Sequence, residues 1–531
     1  MTHEPRLGTV LLVVPENGYY AGFHGLAQTE PLGVEFVAGA ITDLVDQVLI
    51  HDDRVCPGEW RELIRRTPPD LIGVSCQYTA DVPAVRALVA RLHDETGGDV
   101  PIVVGGHHIG LRPADLFVPE VSAIVCGPGE QPFRDIVQAL AGKRSLREVR
   151  DICYRGRDGD FISNVGKMVI SPSVKYNSAA MDGRPYPRRD LVAQYRSHYH
   201  LHYYPGVYSI EMARGCRFRC SFCSVWQHHH GTFEVESVDR TIAELAAQPP
   251  GYTVMVDDLA FSNVEDTMRL ADGMIANGLK KRYWAQVRAD NVSPKDPRYR
   301  KAHHRMFERL AEAGLDMVLI GLESFDPAEL KRVNKGLAPA RNVEALQVLR
   351  DLGIKLMGAQ IVFPDWDIAD FDRTIELNQT LGVEVPQFTI LTPLPGTPDY
   401  QRAIDSGKML TQEPAYFDFY HSVLPTKLPL PEFYRQISRL YRETGWWATS
   451  TPSSGVGAGT STGLSAKSGI SANSETAKRG TRMMLRDLRE GWTTLPAVQK
   501  YAKKMEVLRD ENVHLKRLEQ SDLHRVQTAN A

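Results

Sequence analysis

The most informative stretch of this chain is Cys216-Arg217-Phe218-Arg219-Cys220-Ser221-Phe222-Cys223. Its three cysteines are spaced so that each can bind a different iron of a 4Fe–4S cluster, which leaves the fourth iron without a protein ligand. An iron without a protein ligand can bind a substrate directly. The stretch follows an apolar, β-rich segment from Val207 to Ala213, so we expect the cysteine loop to leave the end of a strand. Folds built of strand–helix units carry their chemistry at that edge.

Other interpretations of the cysteines are weaker. A structural zinc site would need a fourth thiolate or imidazole at a comparable second pair. No such pair is present, although three histidines follow closely, at His228, His229 and His230. Seven cysteines in 531 residues, with no recognisable leader, favour a reducing compartment over disulfides. The remaining four are scattered and are interpreted as buried small hydrophobes: Cys56, Cys76, Cys126 and Cys153.

The CxxxCxxC spacing, with Phe222 before the third cysteine, resembles the radical S-adenosylmethionine (radical SAM) superfamily. The resemblance implies that Cys216, Cys220 and Cys223 hold a 4Fe–4S cluster whose open iron binds the methionine part of S-adenosylmethionine (SAM). It also implies that an electron from the cluster cleaves SAM. The radical formed in this way would abstract hydrogen from an unactivated carbon. An external electron donor of the flavodoxin or ferredoxin type is then required.

Composition limits the possible partners and locations. The chain is 43% hydrophobic and 24% charged, which is typical of a globular protein. Its net charge of −3 gives no argument for binding nucleic acid. No apolar run reaches the roughly 18 residues that span a bilayer, and Met1 to Pro5 do not resemble a leader peptide. We therefore expect a cytoplasmic protein, a location that also protects an oxygen-sensitive cluster.

The first 145 residues alternate short apolar runs with amphipathic helical patterns. This alternation predicts a parallel, doubly wound, Rossmann-like sheet whose ligand lies over the carboxyl ends of the strands. The predicted strands are Thr9–Val14, Gln47–His51, Leu71–Ser75, Pro101–Gly105 and Val121–Cys126.

The predicted strand ends carry small and polar residues that would let a bulky ligand approach the backbone: Ser75, Gly105, Gly106, His107, Gly127, Gly129 and Glu130. With Glu30-Pro31-Leu32-Gly33, this order resembles the cobalamin-binding domain that precedes many radical SAM cores. The resemblance implies that these residues bind cobalamin, as methylcobalamin. The DxHxxG motif of other cobalamin proteins is absent, and His51-Asp52-Asp53-Arg54 is no substitute, so no axial ligand of cobalt is assigned. A scaffold without cobalamin is the alternative.

Six strand–helix units follow between Val207 and Thr392, which predicts a partial (β/α)6 barrel that is open on one side for a large substrate. The predicted strands are Val207–Ala213, Tyr252–Asp257, Tyr283–Arg288, Met317–Glu323, Ile354–Ile361 and Gln387–Leu391.

Polar residues at the barrel strand ends are candidates for binding SAM. The superfamily resemblance implies that Asp257 and Asp258 contact the methionyl amino group. Gln286 and Arg288 end the next strand, where a guanidinium could pair with the methionyl carboxylate. Glu323 could accept hydrogen bonds from ribose hydroxyls. Each carboxylate could instead be a helix cap or a salt-bridge partner. We interpret His228, His229 and His230 as solvated loop residues rather than cavity residues.

The predicted domain order is a cobalamin-binding domain (1–145), a connector (146–206), a radical SAM core with a C-terminal extension (207–447), a flexible Ser/Thr/Gly-rich linker (448–478) and a basic helical tail (479–531). The tail could rest on an anionic membrane, or it could pack on the protein or remain solvated.

Four stretches resemble the hopanoid C-3 methylase branch of the cobalamin radical SAM family: Glu30 to Gly33, Cys223 to Trp226, Pro364 to Asp367 and His421 to Leu430. The resemblance implies methyl transfer to an sp3 carbon of a polycyclic lipid. Related cores methylate or cyclise other natural products, so ring closure remains an alternative. A cobalamin-binding sensor with a purely structural cluster is an alternative from another class.

Overall fold

The computed structural model describes residues 6–16, 27–166, 181–201 and 204–444. Numbered in chain order, its strands are β1 Leu7–Val14, β2 Ala27–Gln28, β3 Val45–Asp52, β4 Leu71–Ser75, β5 Ile102–Gly105, β6 Ala123–Val125, β7 Ile152–Arg155, β8 Phe161–Ser163, β9 His200–Leu201, β10 Tyr204–Pro205, β11 Tyr208–Ile210, β12 Ala213–Gly215, β13 Phe233–Val235, β14 Gly251–Met255, β15 Lys281–Val287, β16 Leu315–Glu323, β17 Lys355–Val362 and β18 Val385–Ile390.

The α-helices are α1 Leu32–Ile41, α2 Trp60–Arg66, α3 Val82–Glu95, α4 His107–Leu111, α5 Glu130–Leu140, α6 Val225–His228, α7 Val238–Ala247, α8 Val264–Ala276, α9 Ala289–Val292, α10 Pro297–Glu312, α11 Pro327–Arg332, α12 Pro339–Asp351, α13 Ile368–Leu381, α14 Pro398–Asp405 and α15 Leu430–Thr444. Short 3₁₀ turns lie at Thr79–Asp81, Pro113–Leu116, Leu146–Glu148, Arg189–His198 and Pro414–Tyr416.

The first sheet has the strand order β3-β1-β4-β5-β6-β7-β8, and its first five strands are parallel. Successive side chains of a strand point to opposite faces. Accordingly, Val10 and Leu12 of β1 pack with α1 and α5, whereas Leu11 and Val13 pack with α2 and α3. Both faces are buried by helices, which confirms the predicted doubly wound sheet.

The second sheet contains β11, β14, β15, β16, β17 and β18 in this order, all parallel. Apolar faces of α8, α10 and α12 pack on its outer side, for example through Leu270, Phe307 and Leu346. In the described part of the chain, β11 and β18 do not pair with each other, so the barrel stays open. This is the predicted partial (β/α)6 barrel.

The stretch 146–206 is more than the predicted connector. β7 and β8 lie within it and extend the first sheet by two antiparallel strands. Ile152 and Cys153 of β7 are buried on opposite faces of this sheet. Each strand has only three or four residues, too few for a visible alternation of polar and apolar positions. The predicted connector thus contains two strands of the first sheet.

The predicted linker and basic tail, residues 448–531, lie outside the described residues, as do 445–447 of the predicted C-terminal extension. Among the helices that are described, none combines the length and the apolar character needed to cross a membrane.

A buried carboxylate joins the two sheets. The side chain of Glu30, just before α1, is fully buried and accepts a hydrogen bond from the backbone N–H of Ser209 in β11. It also pairs with Arg189 at 3.4 Å and with Arg196. Arg189 in turn pairs with Glu244 of α7 at 2.7 Å. The Glu30-Pro31-Leu32-Gly33 motif thus fastens the first barrel strand to the first domain.

Replacing Glu30 with Ala should destabilise the protein by about 3 kcal/mol, because it leaves the largely buried guanidinium of Arg196 without a carboxylate and removes one of the two carboxylates that pair with Arg189. Urea unfolding followed by tryptophan fluorescence measures this. Arg298→Ala is the matched control, since Arg298 pairs with Asp296 on the surface with 82% of its side chain exposed. An unchanged unfolding midpoint for Glu30→Ala, equal to that of the control, would contradict the structural role of Glu30.

Candidate functional site

The carboxyl ends of the first sheet face the barrel across one cavity of about 280 Å³. All seven first-domain residues predicted from the sequence line it: Ser75, Gly105, Gly106, His107, Gly127, Gly129 and Glu130. The barrel side contributes Glu211, Arg214, His228, His229, Val256 and Asp258. The structure therefore brings the predicted strand-end residues to one site and adds charged and imidazole groups from the second domain.

Part of the lining of this cavity is apolar, and part of it is backbone. Leu12, Val103, Val125 and Phe133 are among its lining residues. Gly127 also lines it, and a Cβ at this position would meet no atom within 4 Å, so the backbone itself borders open space. Gly106 has φ +130°, and a Cβ there would lie 2.4 Å from the carbonyl oxygen of Cys76, so only glycine fits the turn. A cavity with these properties fits a large cofactor that has an apolar body and amide groups at its edge, as cobalamin has.

Three imidazoles line the cavity: His107, which the sequence predicted, and His228 and His229, which the sequence interpretation missed. The rings of His107 and His228 lie 4.4 Å apart, and the ring of His229 meets that of His228 edge-on at 4.8 Å. Burial lowers the pKa of His107 to about 4, that of His228 to about 2 and that of His229 to about 3, so all three are neutral near pH 7.

The interpretation of the histidine triplet as solvated loop residues was therefore wrong. His228 and His229 line the cavity, and His230 lines a neighbouring one. The physical reason is that α6 packs against the first domain: Nε2 of His107 hydrogen-bonds Oγ of Ser224 at 2.8 Å, and Trp226 is buried. The apolar pair Val225-Trp226 between the cysteines and the histidines is the sequence signal that could have indicated a packed helix.

An ion-pair bridge crosses the same cavity and was also missed. Arg214 pairs with Glu130 of the first domain at 2.9 Å and with Glu211 of the barrel at 2.7 Å. Burial alone would raise the pKa of Glu211, but the Arg214 guanidinium outweighs it and lowers this pKa to about 2. Glu211 therefore stays ionised, and the bridge persists over the physiological pH range. The Glu211-x-x-Arg214 spacing before the first cysteine was its only local signal.

The two aspartates after β14 hold the backbone that enters the cysteine loop. Oδ1 of Asp257 accepts hydrogen bonds from the N–H groups of Met212 and Ala213 at 2.7 and 2.8 Å. Oδ2 of Asp258 accepts one from the N–H of Gly215 at 2.9 Å. Burial raises the pKa of Asp257 well above its usual value and that of Asp258 to about 6. Of the two, only Asp258 lines the cavity.

The cysteine loop is closed at its base by the antiparallel pair β12 and β13, in which Gly215 faces Phe233. All three cysteines are free, and Cys220 is buried. Nη1 of Arg288 lies 3.8 Å from Sγ of Cys220, and the guanidinium carbon lies 3.5 Å from the ring centroid of Phe218. Arg288, predicted as a SAM ligand, thus follows β15 and faces the loop.

Three thiols on one short loop are a soft donor set that suits iron–sulfur chemistry. Within the described residues, no three Cys, His, Asp or Glu side chains form a site for a metal ion. The cysteines of a cluster bind different irons rather than one ion, so this arrangement is compatible with a 4Fe–4S cluster. Their ligand role and the SAM-binding roles stay predictions.

The remaining predicted SAM residues lie at neighbouring strand ends but do not line the cavity. Glu323 is buried at φ +58°, and its Oε1 accepts a hydrogen bond from Nζ of Lys335 at 2.7 Å. The backbone carbonyl of Lys335 in turn accepts a hydrogen bond from Nη2 of Arg288 at 2.9 Å. Gln286 is half-buried, and its carbonyl accepts from the N–H of Ala260. Glu323 is therefore a salt-bridge partner in this structure.

Two family models match this chain. Residues 25–137 match the B12 binding domain, and residues 210–377 match the Radical SAM superfamily. The matched ranges contain all the residues predicted to bind the cluster, SAM and cobalamin.

Curated relatives match most of the chain. A hopanoid C-3 methylase of Methylococcus capsulatus is 28% identical over 79% of this chain and 78% of its own length. An uncharacterized methyltransferase of Pyrococcus horikoshii is 26% identical over 78% of this chain and 86% of its own. An anaerobic magnesium-protoporphyrin IX monomethyl ester cyclase of Rubrivivax gelatinosus is 24% identical over 74% of this chain and 68% of its own.

Two solved structures share the fold. OxsB, a cobalamin-dependent SAM radical enzyme with aqua-cobalamin and SAM bound, superposes with a TM-score of 0.64 at 18% identity; the match covers 82% of this chain and 66% of OxsB. TsrM from Kitasatospora setae, a radical SAM methyltransferase with cobalamin and a 4Fe–4S cluster bound, gives 0.63 at 16% identity and covers 81% of this chain and 90% of TsrM. The two family matches identify a B12-binding domain followed by a radical SAM domain, which makes the chain a radical SAM enzyme that uses a 4Fe–4S cluster, SAM and cobalamin. Its curated relatives include methyltransferases, and the two solved structures share its fold.

Proposed function

We propose that this enzyme methylates an unactivated sp3 carbon of a polycyclic lipid, with C-3 of a hopanoid as the first candidate. One observation carries the proposal: the glycine-rich strand ends of the first domain and the segment leading into the cysteine loop border the same cavity. A methyl donor and a radical generator can then act on one substrate. The similarity to a hopanoid C-3 methylase over 79% of this chain supports the lipid class.

The residues present fit the three cofactors. Cys216, Cys220 and Cys223 would hold the cluster, and the strand ends from Ser75 to Glu130 would hold cobalamin. When bound, these groups supply a carbon radical at a C–H bond and a methyl group to replace the hydrogen. Neutral imidazoles and the ion-pair bridge from Glu211 through Arg214 to Glu130 line the same cavity.

The protein itself positions the cysteine loop and excludes water from it. Asp257 and Asp258 hold the entry of the cysteine loop, and Nε1 of the buried Trp226 donates to the carbonyl of Cys220 at 3.1 Å. Phe222 packs against an apolar cluster that contains Phe363 and Trp366. These contacts fix the loop on both sides and cover it with apolar side chains, conditions that favour radical chemistry over side reactions with water.

A second candidate function is ring closure without methyl transfer, which is favoured by the similarity to a magnesium-protoporphyrin monomethyl ester cyclase. The two functions differ in the product, because methylation adds a methyl group to the substrate and cyclisation does not.

Lipid extracts of cells with and without the gene provide the test, with mass spectrometry as the readout. We expect hopanoids that carry one additional methyl group on the A-ring only in cells with the gene. Cells expressing Cys220→Ala serve as the control for folded but inactive protein. Unchanged hopanoids would refute the lipid substrate. A dehydrogenated ring product whose mass shows no added methyl group would favour cyclisation.

Replacing Cys220 with Ala should abolish reductive cleavage of SAM, because two thiolates remain where three are needed to hold the cluster. Iron and sulfide content after anaerobic reconstitution, and 5′-deoxyadenosine formation with dithionite, measure this. Cys56→Ala is the matched control, since Cys56 lies in the first domain beside Asp52 and not in the loop. A Cys220→Ala protein that retained the full iron content would contradict the ligand assignment.

Enlarging Gly127 should weaken cobalamin binding in proportion to side-chain size, because the open space beyond this backbone is part of the cavity. Overpacking of about 1–3 kcal/mol corresponds to a roughly 5- to 150-fold higher Kd for Gly127→Leu. Gly127→Ala serves as the smaller step and should have little effect. Equilibrium dialysis with hydroxocobalamin gives the Kd values, and equal binding by wild type and Gly127→Leu would place cobalamin elsewhere.

A further inference from the structure

Two cysteines lie close together beside a glycine turn of the first domain. Sγ of Cys126 and Sγ of Cys153 are 3.9 Å apart, and both thiols are free and buried. In the antiparallel pair of β6 and β7, Ile124 is opposite Cys153. Cys126 follows Ile124 by two residues and therefore lies on the same face of the sheet, in the same apolar cluster as Cys153. The two sulfurs thus meet diagonally across two neighbouring strands.

The backbone holds the two cysteines unequally. Cys153 lies inside β7, which pairs with β6 on one side and with β8 on the other. Cys126 follows the end of β6, and its N–H donates to the carbonyl of Asp151 at 2.7 Å. A disulfide joins residues whose Cα atoms are at most about 6.8 Å apart, slightly less than the usual separation of diagonal neighbours. Closing the bond would therefore move the backbone at Cys126 rather than that at Cys153.

This movement would reach the cavity that is proposed to hold cobalamin. Gly127, the residue after Cys126, lines that cavity. The carbonyl carbon of Cys126 lies 3.5 Å from the place that a Cβ on Gly110 of α4 would occupy, so the turn packs closely against this helix. A displacement of Cys126 would thus change the cavity wall at Gly127.

A small oxidant can reach the pair. Cys126 borders the neighbouring cavity of about 280 Å³, together with the polar residues Ser163 and His230. Ser163 is also the partner of Cys153 in the register of β7 and β8. A cavity with polar lining accepts small polar molecules such as water or hydrogen peroxide. A hydrogen bond from Cys126 lowers the pKa of Cys153 to about 7, so the pair contains a reactive thiolate near neutral pH.

We propose that Cys126 and Cys153 form a reversible disulfide on exposure to peroxide, and that this bond weakens the binding of cobalamin. One thiol is first oxidised to a sulfenic acid, which releases one water, and the other thiol then displaces a second water to form the disulfide. Two thiols and one hydrogen peroxide thus give one disulfide and two waters, and two electrons pass from sulfur to oxygen. A disulfide that displaces the backbone is strained and is therefore easily reduced again.

Analysis of cross-linked peptides from the full chain tests the disulfide. The protein, reconstituted anaerobically with its cluster, is treated with a small molar excess of hydrogen peroxide, and the remaining thiols are alkylated before digestion. Mass spectrometry should detect peptides joined through Cys126 and Cys153, two hydrogens lighter than their sum, and reduction should separate them. Because this readout identifies the two residues directly, it does not depend on the state of the cluster. Absence of this cross-link would overturn the proposal.

Equilibrium dialysis with hydroxocobalamin, after the peroxide is removed, measures the effect on the cofactor. Oxidation should raise the Kd of the wild type by roughly tenfold, a change of the size expected when a cavity wall is displaced. Treatment with dithiothreitol, which is removed before dialysis, should restore the original Kd.

Two serine variants make the second measurement specific. Cys153→Ser cannot form the bond, so its Kd should be the same with and without peroxide. Cys56→Ser is the matched control, since Cys56 belongs to the same domain but not to the pair, and it should respond like the wild type. A cross-link without a change in Kd, or an equal rise of the Kd in Cys153→Ser, would overturn the effect on cobalamin. Neither measurement involves the substrate, so their failure would leave the proposed methylation untouched.

Discussion

Two buried ion-pair networks hold the parallel sheets of this enzyme against each other, and the active site depends on them. Glu30 joins Arg189, Arg196 and the N–H of Ser209, and Arg214 joins Glu130 to Glu211. Buried charges are costly unless every partner is present, so each network tolerates one arrangement of the domains far better than any other. The cavity between the sheets is therefore a defined space rather than the gap of a flexible linker.

Local pattern accounts for the parts of the fold that the sequence could predict. Alternate residues of β1 divide between two apolar cores, and long amphipathic helices such as α8 and α10 show their buried faces at helical spacing. The domain junction has no such local signal, because Glu30 and Ser209 are 179 residues apart in sequence. Only the folded chain shows that Glu30 is buried. Pairing over such separations could not be derived from one sequence.

The same distinction between local sequence signals and long-range contacts applies to the candidate site. Position at a strand end could be predicted, since Gly105, Gly127 and Asp258 all border the cavity. The interaction partner of each side chain could not be predicted. Asp257 has the expected position, but its Oδ1 accepts hydrogen bonds from two backbone N–H groups, and Glu323 forms a salt bridge with Lys335. His228 and His229 were misjudged because their burial comes from the first domain, more than a hundred residues away in sequence.

One short segment connects the sites of both metal cofactors. The hydrogen bond from Trp226 to the carbonyl of Cys220 ties α6 to the cysteine loop, and the bond between Ser224 and His107 ties it to the glycine turn after β5. A displacement of the first domain would therefore move the loop that carries the cysteines. A rigid connection of this kind suits a reaction in which two cofactors must act on the same carbon, because small errors in relative position lower the rate strongly. It also explains why the polar residues between the cysteines and the histidines are largely buried although they belong to a loop and a single helical turn.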